Sequence, residues 1–197
     1  MTFKTLFAAP LLAVLALCSC STTPTGNFYT LGHAAAPARN DPQASYSVAI
    51  GAVTLPQAVD RPQIVTRTGE NQVAFDDFER WAGPLKDEIA RAIAGNLTQL
   101  LEGASVFSYP QSTRVETDYK VLLDVQRFDS TLGDASSIEV LWQVRPNKGE
   151  PRSGRSAVRE AAGGPGYDAL VSAHSRALVA VSRDIANAIR AASASSK

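Results

Sequence analysis

Apolar residues recur along this chain in two rhythms, one of period two and one of period near 3.6. Tyr46, Val48 and Ile50 alternate with Ser45, Ser47 and Ala49, which predicts a strand over 46–53 with one better-buried face. Leu55-Pro56 ends it. Two shorter strands follow, over 63–67 after Pro62 and over 71–75 after the turn signal of Gly69. The rhythm then changes. Leu85, Ile89, Ile93, Leu97, Leu100 and Leu101 fall on one stripe at helical spacing, predicting a helix over 84–101. Pro84 suits the first helical position, Gly103 stops the helix, and Asp87 and Glu88 lie where the dipole favours negative charge. Residues 104–107 read as a short strand.

The second half begins with a longer alternation. Over 118–128, Tyr119, Val121, Leu123 and Val125 line one face, and Leu122 and Phe128 add apolar area to the other. Ile138, Val140, Trp142 and Val144 line one face of 137–145, and the Gly133-Asp134 turn makes the two segments an antiparallel hairpin. Residues 154–161 extend the meander. Gly163-Gly164-Pro165-Gly166 breaks the chain before a long helix over 167–191, with Leu170, Val171, Leu178, Val181, Ile185 and Ile189 on one face. This order predicts an α/β (α+β) fold: a mixed, largely antiparallel sheet with two long helices packed on one face. Residues 46–191 form one globular domain without internal repeats, and 192–197, small and polar, read as a frayed tail.

Ahead of these elements the pattern differs. Lys4 precedes an apolar run from Leu6 to Leu17, broken only by Pro10, and then comes Leu17-Cys18-Ser19-Cys20. A basic start, a short apolar core and small residues at a cleavage point make a secretory signal. The run falls short of the ~20 residues that a spanning helix needs. Its ending resembles the lipobox of bacterial lipoproteins, with Leu17 three before Cys20 and small Ser19 just before it. Residues 1–19 are then a lipoprotein signal peptide, and Cys20 is the acylated first residue of the mature chain. Each buried methylene contributes ~0.8 kcal/mol, so two or more acyl chains anchor stably. The competing reading, a Cys18–Cys20 disulfide, joins cysteines two apart in a strained ring that signal cleavage would split. Ser21 follows the cysteine; by resemblance to the Gram-negative sorting rule, this favours the periplasmic face of the outer membrane. Residues 20–45 hold the lipidated Cys20 and a tether rich in Ser, Thr, Pro, Ala and Gly. The apolar island Phe28-Tyr29-Thr30-Leu31 interrupts it and is expected to dock on the domain, leaving 21–27 to reach at most ~25 Å.

Charge and chemistry narrow the function. The chain holds 19 basic and 19 acidic side chains. Without Lys4 the balance is 18 against 19, a net charge of −1, which argues against a nucleic-acid binder. Its two histidines are His33 in the tether and His174 beside the stripe of the last helix. Neither has metal-ligand spacing around it. Phosphate-cradling loops and nucleophile elbows are missing from the sequence, and Asp124, Asp129 and Asp134 read as solvated strand and turn positions. The expectation is a protein that is not an enzyme, with no cofactor or metal beyond the lipid on Cys20. Two features suit binding. Arg80-Trp81, ahead of the first helix, is either an interface anchor or a staple of helix onto sheet, the latter favoured because large aromatics dominate cores. Residues 145–160 carry five basic and two acidic side chains, +3, and suit either contact with lipid head groups or an acidic partner or, the favoured reading, a solvated edge kept charged against strand addition.

The blocks, taken in order, resemble PqiC-type lipoproteins, the ABC-transport auxiliary lipoproteins. Phe28-Tyr29-Thr30-Leu31 is similar to their aromatic-Tyr-x-Leu opening. Val53-Thr54-Leu55-Pro56 with Asp60-Arg61-Pro62-Gln63-Ile64-Val65 resembles the second block, and Trp81-Ala82-Gly83-Pro84-Leu85 with Asn96-Leu97 the third. Asp124-Val125-Gln126-Arg127-Phe128-Asp129 and Trp142 resemble the central hairpin, and Gly166-Tyr167-Asp168 opens the final helix. The resemblance covers 27–189, and 147–164 matches no block. It implies an outer-membrane-anchored accessory subunit that docks a periplasmic MCE-domain assembly for lipid transport between membranes and supports membrane integrity. It also implies Arg61, Arg80 and Trp81 as partner-contact residues, and leaves homo-oligomerisation open. The alternative is a stand-alone lipid-binding or structural envelope lipoprotein; a lipid-binding domain would need an apolar groove on its sheet that the helices leave uncovered.

Overall fold

The two longest strands, β6 (Tyr119–Thr131) and β7 (Ala135–Pro146), form the hairpin that the alternation predicts. They pair antiparallel from Tyr119↔Pro146 to Thr131↔Ala135. Gly133 takes φ 70° in the turn, a left-handed conformation that favours glycine, and the Asp134 N–H donates to the Thr131 carbonyl at 3.1 Å. A computed structural model describes residues 25–33, 45–108 and 116–195; Cys20, the signal segment and most of the tether lie outside them. The remaining elements are β1 (Asn27–Tyr29), β2 (Ser47–Thr54), β3 (Gln63–Arg67), β4 (Val73–Trp81), α1 (Leu85–Leu100), β5 (Ser105–Phe107), β8 (Arg152–Ala161) and α2 (Tyr167–Ser195).

The fold is mixed α+β, as expected, but the strands divide into two sheets. Strands run β5-β2-β6-β7-β8 in one and β1-β4-β3 in the other. Pairing is parallel for β1–β4, β2–β5 and β2–β6, and antiparallel elsewhere. The division follows from the turn after Leu55-Pro56, where Val59 and Asp60 N–H groups both donate to the Pro56 carbonyl. The chain leaves the first sheet there and starts a second. An ion pair from Arg67 on β3 to Asp129 on β6, at 3.0 Å, spans the two.

One core lies between the helices and the five-stranded sheet. The α1 stripe of Leu85, Ile89, Ile93 and Leu97 is buried, as are Leu170, Leu178, Val181, Ile185 and Ile189 of α2. They meet Val48 and Ile50 of β2, Val121, Leu123 and Val125 of β6, and Ile138, Val140 and Val144 of β7. Each such side chain contributes roughly 1.5–3 kcal/mol on burial. Inside the helix pair, the Asn96 amide donates to Ser182 Oγ at 3.2 Å.

Three local expectations are corrected. Phe128 shares the core face with Val125, because the β6–β7 register shifts between Val125 and Arg127; such a bulge returns a residue to the face that strict alternation denies it. Strand β4 continues past Phe75 to Trp81. Helix α2 runs through Ser195, with Ala192 still buried, so the region read as a frayed tail is helical up to there.

On β8, Gly154 lies opposite Trp142 in register. A Cβ at Gly154 would sit less than 3.0 Å from three atoms of the indole ring. Trp142 is fixed there because its Nε1 donates to Ser156 Oγ at 3.0 Å, and Ser156 donates on to Asp184 of α2 at 2.5 Å. Gly154→Ala is therefore expected to cost ~1–3 kcal/mol by overpacking, read as a lower urea midpoint. Combining it with Trp142→Leu should cost less than the sum of the two single changes.

Candidate functional site

The apolar island docks as expected. Strand β1 adds in parallel to the edge of β4, with Asn27↔Glu79, Phe28↔Arg80 and Tyr29↔Trp81 in register. The Asn27 amide and the Tyr29 hydroxyl both donate to the Glu79 carboxylate, at 2.8 and 2.6 Å. Burial, followed by this bond to a carboxylate, pushes the Tyr29 phenol up to about 12. The Ala82 N–H donates to the Tyr29 carbonyl at 2.8 Å, the Leu31 N–H to Glu88 Oε2 at 3.2 Å, and the Gly32 N–H to Ser175 Oγ at 3.0 Å. Leu31 enters the core. One short segment is thus tied to β4, α1 and α2. Glu88, expected to serve the helix dipole, is buried, accepts from this segment and pairs with Arg91.

Arg61 and Arg80 come together on the outer side of this three-stranded sheet. The Arg61 guanidinium lies 3.7 Å over the Phe75 ring, a cation–π contact. Its Nε donates to Gln63 Oε1 at 3.2 Å, and Gln63 donates to Asp77 Oδ1 at 3.0 Å. Arg80 Nε donates to the Asp77 carbonyl at 2.6 Å. Arg80 also pairs in register with both Gln63 and Phe28. Trp81 does not join them. It is 4% exposed and packs edge-on against Phe128 of β6 at 6.1 Å and His174 of α2 at 6.4 Å. Of its two expected roles it takes that of a staple, here between the two sheets and α2.

The aromatic part of this surface escapes sequence reading. Phe28, Phe75 and Phe78 are 66%, 47% and 43% exposed. The position of Gly26 adjoins both the Phe28 ring and the Phe78 carbonyl. Asp76-Asp77 looks like the end of a strand, yet the β3–β4 register shifts there, and Asp76 accepts from the Phe78 N–H at 2.8 Å. Three phenylalanines on adjoining strands, rimmed by two arginines, have the composition of a contact surface. The bunching of Phe with Arg within 75–81 is the one signal that could have found it.

His174 is fully buried, stacked on Phe128 with centroids 4.0 Å apart, and its Nε2 lies 2.7 Å from Ser130 Oγ. Burial pushes its imidazole down to about 3. The strand and turn aspartates each have partners: Asp124 with Thr54 and Gln126, Asp129 with Arg67, Asp134 with Arg159. Among the described residues no group of three or more His, Cys, Asp or Glu could hold a metal ion. No described helix is long and apolar enough to cross a membrane. The basic stretch of β8 is divided between faces: Arg155 and Arg159 pair with Glu139 and Asp134 on one side, and Arg152 reaches the Ala191 carbonyl of α2 on the other.

Over residues 29–186 the chain matches the family described as ABC-type transport auxiliary lipoprotein component, and it belongs to that family. It is therefore an auxiliary lipoprotein of the cell envelope. No curated protein matches it. Among solved structures, an uncharacterized protein superposes with a TM-score of 0.70 at 21% identity, over 84% of this chain and 99% of that one. A protein from Xanthomonas campestris superposes with a TM-score of 0.67 at 18% identity, over 87% and 100%. These likenesses are of fold.

Two predictions follow from the buried polar groups. Between pH 6.5 and about 3 the unfolded chain holds a proton on His174 that the folded chain does not, so stability rises with pH there, by up to ~1.4 kcal/mol per pH unit. The contribution is complete above pH 6.5 and lost as pH falls; His174→Phe should flatten the slope of unfolding free energy between pH 6.5 and 4.5. Glu88→Ala should cost ~1–3 kcal/mol and speed hydrogen exchange in the 27–33 segment, whereas an unchanged exchange profile would mean that Glu88 does not hold that segment.

Proposed function

We propose that this protein is the outer-membrane-anchored accessory subunit of an ABC/MCE-type lipid transport system, and that it docks the periplasmic MCE assembly through its N-terminal sheet. Family membership over 29–186 is the observation that carries this reading. The geometry supports it in two ways. Strand β1 begins seven residues after Cys20, so an acyl anchor there would hold the domain within ~25 Å of the bilayer. The Phe28, Phe75 and Phe78 surface with Arg61 and Arg80 lies on the same sheet as that attachment point. Phenylalanine and arginine are both enriched at protein interfaces, and arginine among their hot spots. Ser21 after Cys20, by resemblance to the Gram-negative sorting rule, supports the outer membrane as the site of the anchor.

The test is co-purification from crosslinked envelopes, comparing wild type with Cys20→Ala. An MCE-domain protein should be recovered with wild type and several-fold less with the unanchored variant. Recovery of no MCE-domain protein with either form would contradict the reading and favour an envelope lipoprotein that acts alone.

A further inference from the structure

The helices cover one face of the five-stranded sheet, and the opposite face carries an open groove of about 810 Å3 across β2, β6, β7 and β8. Its size is within the range of ligand sites. The apolar floor is Leu122, Leu141 and Ala52, with Leu141 41% exposed. Leu122 pairs with Gln143 and Leu141 with Asp124, so the two leucines are diagonal neighbours on one face, within reach of each other.

One end of this face carries unmatched charge. Lys120 and Arg145 are direct partners across β6 and β7, on the side of Leu122, with side chains pointing away from the helices. Like charges directly opposite one another destabilise a sheet. Neither takes part in an ion pair among the described residues, and Arg145 donates only to the neutral Gln143. The carboxylates of the same face are engaged elsewhere. Asp118 accepts from Ser47, Asp124 from Thr54 and Gln126, and Glu139 is paired with Arg155. The Lys120 stem lies across Gly51, where a Cβ would approach its Cε to 3.0 Å.

We propose that this face binds one phospholipid, with the headgroup phosphate between Lys120 and Arg145 and an acyl chain along Leu122, Ala52 and Leu141. Charge complementarity selects the headgroup, since a phosphodiester supplies the anion that the two cations lack. The apolar floor selects the chain. Lys120 and Arg145 lie two residues (~7 Å) along the same face beyond Leu122 and Gln143, which line the groove, so the phosphate would sit at its mouth and the chain within it. The site is on a different sheet from the docking surface and does not depend on the transport reading.

The test uses the full chain carrying Cys20→Ala, so that no acyl anchor competes, and native mass spectrometry with three probes: dioleoyl phosphatidylglycerol, diolein and inorganic phosphate. A one-to-one adduct is expected with phosphatidylglycerol and not with the other two. Lys120→Glu/Arg145→Glu and, separately, Leu141→Gln should each weaken it about tenfold or more, while thermal midpoints stay near wild type because these side chains are exposed. No adduct with phosphatidylglycerol, an equal adduct with diolein, or unchanged binding in both variants would overturn the proposal. So would sedimentation showing a dimer that Leu141→Gln dissolves, because a second copy would then be the occupant of the groove.

Discussion

Packing of Trp81 against Phe128 and His174 is the contact on which the rest of this structure depends. It is the point where the two sheets and α2 meet. Trp81 ends β4, Phe128 sits on β6, and His174 stacks flat on Phe128. Because Tyr29 pairs in register with Trp81, the junction also positions β1. The N-terminal segment, nearest to the proposed anchor, is thereby joined to the aromatic cluster, in addition to its ties through Leu31, Glu88 and Ser175. The imidazole is kept neutral by its burial, so the cluster behaves as an apolar unit above mildly acidic pH.

That junction determines how the molecule distributes its surfaces. The five-stranded sheet gives one face to α1 and α2, whose stripes bury their leucines and isoleucines against it. Among the described residues no helix covers the outer side of the three-stranded sheet, and phenylalanines are exposed there beside Arg61 and Arg80. Exposed aromatic surface of this kind is costly to leave in water and is commonly covered by a partner.

Much of this was legible in the sequence, for identifiable reasons. The helical stripes of α1 and α2 and the alternation of β6 and β7 are long and regular, so their periods show. The docking of Phe28 to Leu31 was legible because Phe28, Tyr29 and Leu31 stand out in a polar tether. What could not be read depends on pairing between distant segments. The bulge that turns Phe128 inward exists only against β7. The continuation of β4 beyond Asp76-Asp77 shows only in its pairing, with β3 on both sides of the register shift and with β1 over 79–81. Splitting of one expected sheet into two is likewise a tertiary outcome. For the site, Arg61 and Arg80 do meet on one surface while Trp81 turns into the core, and the exposed phenylalanines were hidden by the two acidic residues between them.

The central claim is that the N-terminal sheet is the surface that meets the transport partner. Placing a photocrosslinking amino acid at Phe28, Phe75 or Leu141 in living cells tests it most directly. The account predicts crosslinks to an MCE-domain protein from positions 28 and 75 and none to that protein from position 141. Crosslinks to it from position 141 alone, or from none of the three, would contradict the account.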